Sequence, residues 1–120
     1  MKSGWIEYKE KRIWFAQYND LGRDVQAFER EVLLVTQIMI KEPEQSILLL
    51  IDYRGTGGSM KFFEVLKDSA LKVKKFTKKS AVVGVEGIKR VLLKSIIRFS
   101  ALDVKIFDDL EAAKEWLVQD

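Results

Sequence analysis

The chain has 120 residues, of which 48% are hydrophobic and 32% charged, with one proline, no cysteine and no histidine. This length and balance predict one folded domain over residues 1–120 and exclude a disordered or low-complexity chain. The missing residue types exclude disulfides, thiolate metal sites, cysteine nucleophiles and histidine general bases. We therefore expect a protein that is not an enzyme and that carries no cofactor.

Charge is distributed unevenly, although the formal net charge is only +3. Residues 60–100 carry +8, whereas residues 101–120 carry −4. The first ten residues are charged and aromatic, unlike a secretory signal, and the longest apolar run is the five residues Ile47–Ile51. We therefore expect a cytoplasmic protein without a membrane-spanning helix.

The N-terminal third predicts a β-hairpin followed by a helix. Alternating apolar residues over 5–8 and 12–18 are typical of two strands joined by a turn at 9–11. From Leu21 to Met39 the apolar residues recur at helical spacing, and Pro43 prevents the helix from continuing.

The middle of the chain predicts a central strand, a loop and a second helix. Residues 46–53 contain Ile47–Ile51, which is too apolar for a strand with one wet face. The glycine-rich residues 54–59 predict a flexible loop, with Ser59 capping a helix over 60–77.

Two strand-to-helix units complete the pattern. A strand over 80–86 leads into a helix over 88–99, in which we place Ile88, Val91 and Phe99 toward the core. A strand over 103–107 leads into a last helix, where Asp108 and Glu111 are predicted to form a capping box. The order β-β-α-β-α-β-α-β-α predicts an α/β fold with a mostly parallel five-stranded sheet, an N-terminal hairpin strand and about four helices.

Two stretches resemble a known family: SAVVGV-x-GIK at residues 80–89 and FDD-x-EAA-x-EWL at residues 107–117. With them, the chain resembles the SpoIIAA-like family, a branch related to STAS domains and to CRAL-TRIO lipid carriers. The resemblance extends over nearly the whole chain and is weaker before Leu21. It implies a single STAS-like domain with a five-stranded sheet and about four helices.

The loop after the central strand is the first candidate site, because the carboxyl ends of parallel strands open onto the crevice where α/β folds bind ligands. Its predicted ligand or partner contacts are Asp52, Tyr53, Arg54, Gly55, Gly57, Gly58 and Ser59. We also expect Asp52 to fix the loop through an Asx bond.

The resemblance suggests a phosphorylation site in the same loop. In STAS domains that act as anti-sigma factor antagonists, a serine or threonine near the start of the corresponding helix is phosphorylated, which makes Ser59 and Thr56 the candidates here. The Asp-Ser-Ser-Gly run of those antagonists is replaced by Gly57-Gly58-Ser59-Met60. A plain N-cap role for Ser59 is therefore the preferred interpretation.

The second candidate site is a basic face. Its residues are Lys72, Lys74, Lys75, Lys78, Lys79, Lys89, Arg90, Lys94 and Arg98. A solvated surface is the preferred interpretation, and contact with an anionic membrane is the alternative. Nucleic-acid binding is disfavoured because Phe76 and Phe99 are predicted to be core residues and not exposed stacking surfaces.

The third candidate site is an apolar pocket formed by the hairpin residues Trp5, Trp14, Phe15 and Tyr18, the binding mode that the lipid-carrier relatives imply. Apolar residues such as Leu33, Leu34 and Ile40 lie on more than one face of the first helix, which leaves a homodimer open.

Taken together, these patterns favour a non-enzymatic regulatory domain that binds a protein partner or a small hydrophobic ligand. The first alternative is a peripheral membrane-associated carrier of a lipid or apolar ligand that uses the basic face 72–98. The second is a phospho-switch like that of the anti-sigma factor antagonists.

Overall fold

The computed structural model describes all 120 residues as one five-stranded sheet covered by helices on both faces. The strands are β1 (Gly4–Tyr8), β2 (Lys11–Gln17), β3 (Ile47–Asp52), β4 (Thr77–Val83) and β5 (Val104–Phe107). The helices are α1 (Val25–Met39), α2 (Met60–Val73), α3 (Ile88–Phe99) and α4 (Leu110–Val118), and a 3-10 turn over Lys74–Phe76 extends α2. The α/β fold class and the order of elements predicted from the sequence are confirmed.

The sheet has the strand order β1-β2-β3-β4-β5, so each strand pairs with the one before it. β1 and β2 are antiparallel, and β2 to β5 are parallel. Lys9 and Glu10 both have positive φ, the backbone that a two-residue hairpin turn requires.

Three helices cover one face of the sheet and one covers the other. Leu49 of β3 packs in the cluster that includes Phe63 of α2, while Leu50 packs in the cluster that includes Leu117 of α4. Successive residues of a strand point to opposite faces, so the run Ile47–Ile51 supplies both cores. This is why that strand is apolar at nearly every position.

The last helix begins one residue later than the predicted capping box, which began at Asp108, would place it. Asp109, and not Asp108, is the N-cap residue, and its carboxylate accepts a hydrogen bond from the Ala112 backbone N–H at 2.9 Å. Asp108 instead pairs with Arg90 at 2.6 Å.

Helix α2 and strand β4 also differ from the predicted bounds. α2 ends at Val73, and β4 begins at Thr77 instead of residue 80. A register irregularity beside Ile47 places an extra residue, Lys78, at the start of β4. Such a bulge lets this lysine-rich segment pair as a strand, although its side-chain pattern does not alternate.

Helix α3 has the predicted bounds, but the prediction that Ile88, Val91 and Phe99 lie in the core is wrong. These side chains are 72%, 58% and 87% exposed, respectively, and Leu93 is the buried residue of the helix. α3 lies toward the β5 end of the sheet, where the four-residue edge strand offers little surface to cover one side of the helix.

Candidate functional site

The loop at the carboxyl edge of the sheet is closed by its own side chains. The Tyr53 hydroxyl donates to the Gly57 carbonyl at 2.5 Å. Thr56 is 2% exposed, and its hydroxyl donates to the Tyr18 carbonyl and accepts from the Leu21 N–H. These bonds tie the loop to the segment between β2 and α1.

Close packing at the loop glycines leaves no room for a bound molecule there. A side chain at Gly57 would come within 2.9 Å of the Gly22 carbonyl and the Phe62 ring. The aliphatic part of Lys89 lies against Gly58, and its ammonium donates to the Thr56 carbonyl at 3.1 Å. The ligand crevice expected at this edge is therefore filled.

The two candidate phosphorylation sites differ in accessibility. Thr56 is buried and held by two hydrogen bonds, whereas Ser59 is exposed. Ser59 is the N-cap residue of α2, but its side chain makes no capping hydrogen bond. The predicted N-cap position is thus correct, and the predicted side-chain bond is not formed.

Asp52 is held by Arg54 and is 2% exposed. Its carboxylate accepts from the Arg54 backbone N–H at 3.1 Å, as the Asx prediction requires, and from Nε and Nη2 at 2.9 and 2.7 Å. These bonds raise the pKa of the Arg54 guanidinium above its usual value. The carboxylate is fully engaged in a structural ion pair.

A cavity of about 580 Å³ lies at the opposite, amino edge of the parallel strands, between α2 and the sheet. Its floor and walls are buried or half-buried. They are lined by Leu49, Ile51 and Val104 of the sheet, Leu66, Ala70 and Val73 of α2, Met39, Tyr18 and Leu102, together with the hydroxyl residues Ser69, Thr77 and Ser80. Its exposed rim is lined by Gln45, Leu71, Lys72, Lys74, Lys75, Lys78 and Asp103. The cavity is thus apolar inside and basic at the rim.

Ser80 places a hydroxyl on the apolar floor. It pairs in register with Leu49 and Val104, whose side chains belong to the three-helix face, so the Ser80 side chain points to the same face. It is 5% exposed, lines the cavity, and makes no hydrogen bond within the chain. The floor therefore offers an unpartnered donor and acceptor.

Tyr18 is the second polar residue of the buried wall. It is 3% exposed, and its hydroxyl makes no hydrogen bond within the chain. Burial, with a smaller effect of the Glu31 carboxylate, raises the pKa of Tyr18 far above its usual value. The hydroxyl consequently stays protonated.

The cavity continues as a narrow apolar space between α2 and α3. This space, of about 40 Å³, is lined by Leu93, Ile96 and Ile97 of α3 and shares five residues with the cavity. The shared residues are Ile51, Leu66, Ala70, Leu102 and Val104. A groove of about 620 Å³ on the outer side of α1 and α2 is different, because only three of its 11 lining residues are hydrophobic.

The four hairpin aromatics do not form the pocket predicted for them. Trp14 packs on Trp5 with ring centres 4.9 Å apart on the three-helix face, while Phe15 lies on the α4 face. Of the four, Tyr18 alone lines the 580 Å³ cavity. The prediction grouped residues that strand alternation sends to opposite faces.

The predicted basic face consists of separate groups. Lys79 points to the α4 side and donates to the carbonyls of Trp116 and Gln119 at 2.9 and 2.6 Å. Lys89 and Arg90 bind the Thr56 carbonyl and Asp108. Lys94 and Arg98 are exposed on α3, and the remaining four lysines lie at the cavity rim.

Sequence reasoning missed the residues that form the cavity. Leu66 and Ala70 lie in the helix predicted over 60–77, and Val104 lies in the strand predicted over 103–107, but the residue pattern does not show that a space separates the two elements. Ser80 carried the one available signal, since it is a polar residue at a position where the strand pattern turns apolar.

Comparison with known proteins identifies the family. A family model described as SpoIIAA-like matches residues 17–118. The chain belongs to the SpoIIAA-like family. No curated protein matches this SpoIIAA-like chain.

A solved structure supports the fold of this SpoIIAA-like domain. It is an uncharacterized protein of the DUF3478 family with a SpoIIAA-like fold, from Shewanella loihica PV-4. The two chains are 20% identical and superpose with a TM-score of 0.70, covering 96% of this chain and 91% of that chain. The family match includes every residue that lines the cavity.

Two further features bear on the chemistry of this SpoIIAA-like domain. Its acidic residues form no cluster of three or more that could hold a metal ion. Its helices are all too short or too polar to cross a bilayer.

Proposed function

We propose that this SpoIIAA-like domain is a non-enzymatic binding protein that takes a small hydrophobic ligand into the cavity under α2. The observation that carries the proposal is the cavity itself, which has a volume of about 580 Å³ and is lined by 19 residues, ten of them hydrophobic. Pockets that bind small molecules typically measure about 300–1,000 Å³ and are mostly apolar, with a few polar groups.

The polar groups of the buried wall support binding in preference to catalysis. They are hydroxyls, those of the buried Ser80 and Tyr18 and of the half-buried Ser69 and Thr77, while the charged residues at the cavity rim are exposed. An uncharged, mostly apolar interior suits an apolar ligand, because burying an unpaired charge there would be costly.

The carboxyl-edge loop gives less support for a ligand site. Its interior is occupied by Tyr53 and Thr56, and a phospho-switch there would depend on the exposed Ser59 alone. The exposed surface of the loop suits contact with a protein partner better than enclosure of a small molecule.

Filling the cavity tests the proposal. In Ala70→Phe the new ring would occupy the space between α2 and the sheet, so we expect an apolar molecule that co-purifies with the wild-type protein from its own host to be lost. Native mass spectrometry followed by denaturing analysis measures this. Ala112→Phe on the exposed surface of α4 is the matched control and should keep the ligand.

Thermal unfolding of both variants would show whether each is folded. Retention of the same molecule by a folded Ala70→Phe variant would contradict the proposal. So would a wild-type protein that neither carries an apolar molecule nor binds a hydrophobic fluorescent probe in the cavity.

A second candidate function is peripheral contact with an anionic membrane through α3. Phe99 is 87% exposed and Ile88 72% exposed on a helix that also presents Lys94 and Arg98 to solvent. A helix with exposed apolar and basic residues can lie in the interface of an anionic bilayer. Such contact is compatible with the uptake of a hydrophobic ligand.

A further inference from the structure

We propose that the ligand of this cavity is an amphiphilic anion, with its charged head at the lysine rim and an oxygen on its chain facing Ser80. This inference rests on the proposed function and adds the chemical class of the ligand. It depends on the charge of the rim, the size of the interior and the position of one buried hydroxyl.

The rim is strongly basic. The lining contains four lysines, Lys72, Lys74, Lys75 and Lys78, with Asp103 as the only acidic residue, which gives a formal charge of +3. Lys75 lies 3.9 Å from Glu44, while the other three form no ion pair. The ammonium groups of Lys72 and Lys74 are therefore available to an anion at the cavity entrance, whereas Lys78 also lies on the α4 side, where its charge acts on Asp120.

The cavity, with its open rim included, sets the size of the whole ligand. A volume of 580 Å³ holds roughly 20 non-hydrogen atoms if each takes about the 30 Å³ of a water molecule in the liquid. A single acyl chain of about 14 carbons with its head group has this size, whereas a two-chain lipid does not.

The position of Ser80 predicts an oxygen on that chain. Thr77, at the start of β4, lines the cavity beside the rim, and Ser80 lies three residues farther along the strand. With a rise of about 3.3 Å per residue and one bulged residue, the hydroxyl lies roughly 7 to 10 Å inward. The Ser80 hydroxyl opens onto the cavity and has no partner in the chain, so a ligand hydroxyl or carbonyl at this depth would form a hydrogen bond with it.

The head group is tested by isothermal titration with tetradecanoate and tetradecan-1-ol. We expect the acid to bind about tenfold more tightly at low salt, and the preference to disappear in Lys72→Gln/Lys74→Gln/Lys75→Gln. Lys61→Gln removes an exposed lysine at the other end of α2 and should keep the preference. Tetradecyl phosphate in place of the acid shows whether the rim prefers a carboxylate or a phosphate.

The predicted contact between Ser80 and an oxygen on the ligand chain is tested with 7-hydroxytetradecanoate. It should bind the wild-type protein about fivefold more tightly than tetradecanoate, and Ser80→Ala should bind the two acids equally. Ser80→Ala removes only an unpartnered hydroxyl, so the variant should fold normally. A preference that persists in Ser80→Ala would overturn the assignment of Ser80.

The outcomes separate this inference from the proposed function. If the alcohol binds in the cavity as tightly as the acid and the phosphate, the anionic head is wrong and the hydrophobic site stands. If none of the probes binds, and the protein from its own host carries no apolar molecule, both fail.

Discussion

Gly84 shows how one residue fixes the carboxyl edge of the sheet. Its φ is +88°, and a Cβ atom would lie 2.5 Å from the Arg54 backbone nitrogen and 2.8 Å from its Cα. Arg54 cannot move away easily, because its side chain and backbone are both bonded to the buried Asp52. Only glycine allows the strand end and the loop to approach this closely.

Three glycine substitutions distinguish the cost of steric overlap with Arg54 from the cost of a strained backbone φ. Gly84→Ala should lower the free energy of unfolding by about 3 kcal/mol or more, because strain and backbone overlap add. Gly87 has a positive φ but open space around an added Cβ, so Gly87→Ala should lower the free energy of unfolding by about 1 to 2 kcal/mol. Gly4 has neither a positive φ nor a neighbouring atom within 4 Å, so Gly4→Ala should change little. Urea unfolding measures all three, and equal losses at Gly84 and Gly87 would contradict the role of the Arg54 contact.

At the scale of elements, α3 stands out as an incompletely covered helix. Leu93 is its buried residue, while Leu92, Ile96 and Ile97 are half-buried and Phe99 is almost free. Replacing an exposed apolar residue should change the free energy of unfolding little, since its side chain is already in contact with water. Folding therefore does not require the exposed side of α3 to be apolar.

Phe99→Ser tests the membrane role of this helix. We expect co-sedimentation of the wild-type protein with vesicles containing phosphatidylserine, and about tenfold weaker binding of the variant, because the ring no longer enters the bilayer interface. Its thermal stability should not change, since the ring is 87% exposed. Leu33→Ser, at a 55% exposed position on α1, is the matched control and should bind like the wild type.

An equal loss in Leu33→Ser would show that the effect does not belong to α3. Binding that does not weaken as salt is raised would contradict the contribution of Lys94 and Arg98, since exposed charges are screened within about 10 Å at 0.1 M salt.

Elements were predictable where the signal is local. α3 begins after Gly87 and ends at Phe99 as predicted, because the glycine turn and the apolar periodicity both lie within the segment. The same periodicity placed Phe99 in the core, since it marks an apolar stripe without showing what covers it. The short edge strand β5 decides that, and its effect depends on the assembled sheet.

The candidate site was predictable to a smaller degree, because it depends on the spacing between elements. The general tendency of α/β folds directed attention to the carboxyl edge, but Tyr53 and Thr56 fill that edge from within the loop. The cavity at the other edge arises from the separation between α2 and the sheet at Leu66 and Ala70. The order of apolar and polar residues along the chain does not predict how far α2 lies from the sheet.

At the scale of the whole molecule, polar contacts join the N-terminal hairpin to the last helix and the residues that follow it. The Tyr8 hydroxyl donates to Glu115 at 2.7 Å, and the Lys11 ammonium lies 2.7 Å from Asp120. The hydrogen bond to Glu115 is the largest of the effects that raise the pKa of Tyr8 to about 12. The protonated phenol is thus favoured in the folded protein.

The stability of the protein should depend on this phenol at high pH. The contribution is fully present below pH 10.0, the usual pKa of tyrosine, and is lost as the pH rises through about 12. Unfolding measured between pH 9 and 12 in wild type and Tyr8→Phe should show a steeper fall for the wild type. Because both proteins contain the other two tyrosines, a difference between their stability curves belongs to Tyr8. Parallel curves would contradict the raised pKa of Tyr8.

The strand order has a consequence for how the chain assembles during synthesis. Every strand from β2 to β5 joins the edge formed by the strand that immediately precedes it. No later strand has to insert between two that are already paired, so the sheet can grow in one direction as the ribosome releases the chain. Only α4, which covers the second face, has to wait for the last residues to emerge.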